Sequence, residues 1–245
     1  MKEYKDFAYL YDKLTDDVNY QARVDYIEKL FDIHLKNKPE LIADIGCGTG
    51  TVCNIMHDRG YDMIGIDASS DMLNVAMKKS GDKNILYLNQ NMVNFELYGT
   101  VDVILCLLDS VNYLIEDGEI DAFFALCNNY LNPAGILIFD INTVYKFENV
   151  LSNNIYNYED DQLFYSWENN FDGRICEFYL NFFVENDNGM YDRITEQHFE
   201  RAYTAQEIEK SVLKSGLKLL SVYGDMSTDK PNFDEERVYF VAKKY

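Results

Sequence analysis

Leu41-Ile42-Ala43-Asp44-Ile45-Gly46-Cys47-Gly48-Thr49-Gly50 is an apolar run of strand character that breaks into three alternating glycines; a helical pattern follows from Thr51 to Arg59. Glycine permits positive φ and lets backbone approach a ligand with no Cβ in the way. The helix opening behind the turn presents unpaired N–H groups to whatever sits there. Strand, glycine turn and helix together form the first unit of a nucleotide-type binding crevice.

The spacing narrows the ligand. Dinucleotide folds use G-x-G-x-x-G, which brings a pyrophosphate onto the helix N-terminus. Here Gly46, Gly48 and Gly50 form G-x-G-x-G, with Asp44 two residues ahead. A carboxylate at that point attracts an ammonium and repels a pyrophosphate. Asp-x-G-x-G-x-G resembles the first motif of the class I S-adenosylmethionine-dependent methyltransferases. The resemblance implies that Asp44 helps hold the methionyl ammonium, and that Gly46, Cys47, Gly48 and Gly50 pass against the methionyl and ribose parts of the cofactor.

Working outward, a second strand, Met63 to Ile66, ends at Asp67. Ser69 is a plausible N-cap for a helix with apolar Met72, Leu73, Ala76 and Met77. An acidic residue at the end of the second strand is placed to accept both hydroxyls of a ribose. Ala68 and Met72 are expected on the same side of the nucleoside. A third strand, Ile85 to Leu88, leads to Asn91 and Met92. The family often has aspartate at the first of these, bonded to the adenine amino group; Asn91 loses the charge but keeps an acceptor oxygen. Met92 would offer a backbone N–H and a soft side chain to the adenine.

Val101 to Leu107 is nearly all apolar, as a strand buried on both faces should be. Ligands of open α/β sheets bind off the carboxyl ends of the strands. Leu107 and Leu108 are therefore expected at the cofactor, and Asp109, Asn112 and Tyr113 at the methyl-transfer region. A helix from Glu119 to Leu131, a stop at Pro133-Ala134-Gly135 and a fifth strand from Gly135 to Phe139 follow. Upstream, residues 4–36 read as helical, and Phe7 to Leu14 resembles the opening segment that closes over the methionyl end in small bacterial methyltransferases. Tyr11 and Tyr20 are candidates for that contact, and Tyr9 for packing.

The strand–helix alternation then breaks. From Tyr156 to about Tyr203 the chain is aromatic and often period-two, with turns at Asp172-Gly173 and Glu185 to Gly189. Three or four antiparallel strands are expected, inserted after the fifth strand on the ligand side of the sheet. Within them His198, Arg201 and Tyr203 resemble an H-x-x-R-x-Y signature of small-molecule N-methyltransferases, including those acting on amino sugars. Glu196, His198 and Glu200 would share one strand face and Phe199, Arg201 and Tyr203 the other. His198 and Asp109 are the candidate bases, and Asn112, Tyr113, Arg201 and Tyr203 the candidate acceptor contacts. Thr204 caps a last helix (Ala205 to Ser215), Gly216 ends it, and strands Leu217 to Tyr223 and Val238 to Lys243 close the chain.

The expected architecture is therefore α/β: a Rossmann-like class I methyltransferase fold with a mostly parallel seven-stranded sheet, an antiparallel last strand and an antiparallel β insertion after strand five. Residues 1–143 and 204–245 are expected to form the cofactor-binding domain, and 144–203 a β lid over the substrate. The resemblance implies S-adenosylmethionine as cofactor and in-line methyl transfer to a small molecule, an amine nitrogen being favoured over a hydroxyl. Of 245 residues, 22 are Lys or Arg and 42 Asp or Glu, a net charge of −20 that repels phosphate backbones. Five scattered cysteines lack C-x-x-C spacing, so neither a zinc site nor a disulfide framework is expected. The charged N-terminus has no signal-peptide apolar core and no stretch is long enough to span a bilayer, so a cytoplasmic monomer or homodimer is expected. An RNA methyltransferase, an NAD-dependent oxidoreductase and a non-catalytic cofactor-binding module are the rival readings.

Overall fold

The computed structural model describes residues 8, 10–12, 15, 18–161, 163–186 and 188–245. Phe7, Tyr9 and Leu14 of the expected opening segment lie outside them. In chain order the elements are α1 (Tyr20–His34), β1 (Leu41–Ile45), α2 (Thr51–Asp58), β2 (Asp62–Asp67), α3 (Ser70–Ser80), β3 (Ile85–Asn89) and β4 (Val101–Cys106). A single 3-10 turn (Ser110–Tyr113) precedes α4 (Glu119–Tyr130) and β5 (Leu131–Asn142). Then come β6 (Ile155–Glu159), β7 (Leu163–Phe171), β8 (Ile175–Glu185), β9 (Tyr191–Arg201), α5 (Ala205–Lys214), β10 (Lys218–Gly224) and β11 (Arg237–Lys243).

One sheet has seven strands in the order β10-β11-β5-β4-β1-β2-β3. β1 to β5 run parallel, while β11 pairs antiparallel with both β5 and β10. The order reverses at β1, and the glycine turn leaves the carboxyl end of that strand. This reversal is where an open α/β sheet opens a crevice. The central strands bury both faces, and alternate residues sort into two cores. Ile42, Val103, Leu105, Ile138 and Tyr239 pack with Ile27 and Leu30 of α1 and Met56 of α2. Ala43, Ile45, Ile104, Phe139 and Phe240 pack on the opposite side with Phe123 and Phe124 of α4 and Ile208 and Val212 of α5. The cores make an α/β/α layering.

β5 begins four residues earlier than the glycine signal predicts. Its pairing with β4 shifts between Val101 opposite Leu131 and Val103 opposite Ile136, so Pro133-Ala134-Gly135 is a bulge inside the strand and not a stop before it. Ala134 adopts φ +64° there, and its N–H reaches the carbonyl of Lys244. The closing helix starts as expected, with a capping box between Thr204 and Glu207.

The aromatic stretch forms a separate antiparallel sheet, β6-β7-β8-β9. Phe147, Leu151, Leu163, Cys176, Phe178 and Phe182 give it a core of its own. All five cysteines are free and buried, and no helix among the described residues is long and apolar enough to cross a membrane.

Candidate active site

The glycine turn borders a cleft lined by Tyr11, Tyr20, Asp44, Gly46, Cys47, Gly48, Thr49, Thr51, Val52, Leu107, Leu108 and Ser110. Gly46, Gly48 and Gly50 all have positive φ, at +76°, +53° and +71°. Their roles differ. A Cβ on Gly46 would stand 2.7 Å from Ser110 Oγ, and one on Gly50 2.5 Å from Tyr87 Oη, whereas one on Gly48 would meet no atom of the described residues within 4 Å. The first and third glycines are small because the fold closes on them; the second has no such neighbour among the described residues.

Asp44, next to last in β1, has only 3% of its surface exposed. The Cys53 thiol donates to its Oδ2 at 3.4 Å. Burial pushes the Asp44 carboxyl up to about 7, the Cys53 bond opposing and the Asp67 charge adding. Asp67, at the end of β2, accepts the Gly48 N–H at 2.9 Å on Oδ2 and the Ser69 N–H at 2.8 Å on Oδ1. Each carboxylate oxygen keeps a lone pair for a hydroxyl. Ala68 and Met72 follow on the α3 cap, where Ser69 Oγ accepts the Met72 N–H. Asn91 Oδ1 accepts the Val93 N–H at 3.0 Å, and the Met92 side chain reaches to 3.8 Å of where a Gly46 Cβ would be.

The other wall leaves β4 in an unusual conformation. Leu108 and Asp109 are consecutive non-glycine residues at φ +56° and +55°. Their N–H groups donate to Asp140 Oδ1 at 2.8 Å and Oδ2 at 3.0 Å. Asp140 is fully buried, and Arg237 bonds both Asp140 and Asp109. A left-handed pair costs free energy for residues with a Cβ, and this buried clamp offsets it. Neither Asp140 nor Arg237 stood out in the sequence, because the pairing joins residues far apart in the chain.

Past the clamp, the 3-10 turn runs from Ser110 in the cleft wall to Tyr113. The Tyr113 ring stacks on His198 at 5.3 Å and 22°, and Phe178 stacks on the other face at 4.8 Å and 15°. Burial drives the His198 imidazole down to about 4, so it is neutral near pH 7. Glu200 stands beside it, 4% exposed, with Oε2 accepting from Asn142 Nδ2 at 3.1 Å.

The remaining expected acceptor contacts have other partners. Asn112 donates to the carbonyls of Arg201 (2.8 Å) and Asn142 (3.3 Å) and accepts the Asn142 N–H (3.0 Å). Arg201 bonds Asp117 at 3.0 Å and lies over the Tyr203 ring, and Tyr203 donates to the Leu114 carbonyl. All three stitch β9 and the start of α5 to the loop after β4. The structure thus joins Tyr11, Tyr20, Asp44, Gly46, Cys47, Gly48, Leu107 and Leu108 in one cleft, and Tyr113 with His198 beyond it. Thr49, Thr51, Val52 and Ser110 also line the cleft and carried no sequence signal.

The sheet order, the reversed last strand and the glycine turn with its two carboxylates define a Rossmann-like methyltransferase fold. A family model for a methyltransferase domain matches residues 42–135. A chain of Geobacillus sp. (strain WCH70) assigned to the methyltransferases is 30% identical, with 98% of this chain and 99% of that one covered. The crystal structure of an S-adenosylmethionine-dependent methyltransferase from Clostridium acetobutylicum ATCC 824 superimposes with a TM-score of 0.90 at 33% identity, covering 98% of each chain. The sugar N-methyltransferase KedS8 from Streptoalloteichus sp. ATCC 53650 shares the fold at a TM-score of 0.81 and 16% identity, over 96% of this chain and 92% of that one. The protein belongs to the S-adenosylmethionine-dependent methyltransferases.

The residues present fit that cofactor. The space beside Gly48 admits a ligand against bare backbone, Asp44 lies in the cleft wall to meet an ammonium, and Asp67 can take ribose hydroxyls. When bound, S-adenosylmethionine supplies an electrophilic methyl group.

Proposed function

We propose that the protein transfers this methyl group to a small molecule, with an amine nitrogen as acceptor. The supporting observation is the Tyr113–His198–Phe178 stack, one 3-10 turn from the cofactor cleft. Flat rings on both sides and a buried polar edge suit a compact acceptor with one polar group. A net charge of −20 disfavours RNA.

In this reading Asp44, Asp67 and the glycine turn hold the cofactor, and the Asp140–Arg237 clamp fixes the Leu108–Asp109 wall beside it. Alignment and exclusion of water account for most of the rate, because the methyl donor is already activated. His198, neutral at pH 7, accepts an N–H of the acceptor and aims it. Asp109, the other base expected from sequence, is engaged by Arg237 and serves the wall. Residues 144–203 act as the acceptor-side cover and the rest as the cofactor domain.

The test supplies methyl-labelled S-adenosylmethionine with either a protein-free, dialysed-out metabolite extract or total bacterial RNA. Label in a small amine supports the proposal. Label in RNA, at a salt-sensitive rate, would replace it with the RNA reading.

A further inference from the structure

We infer that Glu200, with His198, forms a two-point cradle that selects an acceptor carrying at least two N–H bonds on one nitrogen, and that Glu200 takes the proton that frees its lone pair. The inference rests on the small-molecule reading and adds to it the acceptor's chemical class and the residue that recognises it.

The geometry is specific. Glu200 Oε1 lies 4.0 Å from His198 Nε2, too far for a hydrogen bond between them. Oε2 is held by Asn142, whose own Oδ1 accepts from Lys146 Nζ at 3.0 Å. Among the described residues Oε1 accepts no hydrogen bond. A nitrogen about 2.9 Å from both atoms would subtend an angle of about 90°, near what two N–H bonds on one nitrogen require. A hydroxyl, with one hydrogen, satisfies only one of the two acceptors and leaves the other buried and unpaired, which is costly. The stacked rings on His198 prevent the imidazole from turning to close the gap.

The surroundings favour a cation. Glu196 and Glu200 share the β9 face with His198, and Asp109 lies close enough to raise the Glu200 carboxyl further. Burial pushes Glu200 well above the usual carboxylate range, with Asn142, Lys146 and Arg237 opposing. A carboxyl so shifted is a stronger base than an ordinary one. An arriving primary ammonium gives one proton to Oε1; the neutral amine then turns its freed lone pair to the methyl group while its two N–H bonds rest on the remaining lone pair of Oε1 and on His198 Nε2. The freed lone pair forms the N–C bond while the C–S bond breaks, its electron pair staying on sulfur and the positive charge passing to nitrogen. The proton on Glu200 then leaves to solvent with the product.

The experiment uses the full chain, methyl-labelled S-adenosylmethionine and the dialysed-out metabolite extract, comparing wild type with Glu200→Gln, Glu200→Asp and His198→Gln, with mass spectrometry of the products. Calorimetric binding of S-adenosylmethionine is measured on every variant. The expected result is methylation of a primary amine by wild type, reduced at least 100-fold in Glu200→Gln and partly kept in Glu200→Asp, with cofactor affinity unchanged within threefold. An O-methylated product, or an N-methylated one made equally well by Glu200→Gln, overturns the cradle and leaves the small-molecule reading standing. No labelled small molecule, or label in RNA, overturns both. If Glu200→Gln loses cofactor binding as well, intact binding in Glu200→Asp with product reduced but partly kept still supports the cradle, and loss of binding there too overturns it in favour of a structural role.

Discussion

The carboxylate of Asp67 accepts the backbone N–H of Gly48 at 2.9 Å, binding the end of β2 to the middle of the glycine turn. The same group shapes the turn and, on the proposed reading, offers lone pairs to the ribose. Asp67→Ala removes both, and each bond to a charged group contributes about 1.5–3 kcal/mol. Affinity for S-adenosylmethionine should fall at least on the order of tenfold by calorimetry, with Asp67→Asn losing less because one oxygen remains. An unchanged affinity in Asp67→Ala would move the ribose elsewhere.

If Asp44 meets the cofactor's ammonium as proposed, it gives the site a pH dependence. Its folded-state carboxyl titrates at about 7, raised by burial, and the ionised form is the one that attracts an ammonium. Cofactor affinity should rise with pH toward 7, by up to about tenfold per unit below it, and level off above; Asp44→Asn should be weak and flat. Stability runs the other way. Between the ordinary carboxylate range and 7 the folded state binds the extra proton, so the ligand-free protein loses stability as pH rises through that window. Asp44→Asn should then melt higher than wild type at pH 8. Parallel pH profiles for variant and wild type would remove Asp44 from the ammonium site.

The glycines separate by what surrounds them. Gly48→Ala places a Cβ in open space, so the protein should fold, with a stability loss of about 1–2 kcal/mol from the left-handed φ, yet bind S-adenosylmethionine much more weakly. Gly50→Ala drives a Cβ to 2.5 Å from Tyr87 Oη and 2.9 Å from Ala76 Cβ and should lower the melting temperature more. Equal loss of stability in both, with binding intact in Gly48→Ala, would mean the cofactor avoids that face of the turn.

Asp140→Ala leaves two N–H groups and the Arg237 guanidinium without their shared acceptor in a buried place. Breaking such a pair costs about 3–5 kcal/mol, and chemical denaturation should read a loss of that size. Asp140→Asn keeps an acceptor oxygen and should lose less.

Much of this molecule was legible because its signals are local. The glycine turn, Asp44 before it, Asp67 after β2 and the Thr204 cap each lie within one strand–turn–helix unit, where spacing dictates geometry. The seven strands followed from apolar runs, apart from the Pro133–Gly135 bulge, which a glycine signal disguises as a stop. The Asp140–Arg237 clamp depends on strands distant in sequence, and no spacing encodes it. Glu200 was visible only as a face-mate of His198 on β9.

Arg201 and Tyr203 mark the limit of motif reading. They follow His198 in an H-x-x-R-x-Y pattern, but their polar atoms reach Asp117 and the Leu114 carbonyl. Tyr203 is 2% exposed, so Tyr203→Phe removes a buried hydrogen bond and leaves the Leu114 carbonyl without that donor. The expected loss is about 1–3 kcal/mol of stability, with kcat and the acceptor KM within twofold of wild type once the acceptor is known. Tyr113 offers the contrast, since its ring stacks on His198 beside the cradle. Tyr113→Ala frees one face of the imidazole and should raise the acceptor KM while sparing cofactor affinity. If Tyr203→Phe raises the acceptor KM and Tyr113→Ala does not, the acceptor lies on the Arg201 side of β9 and the His198 stack is only packing.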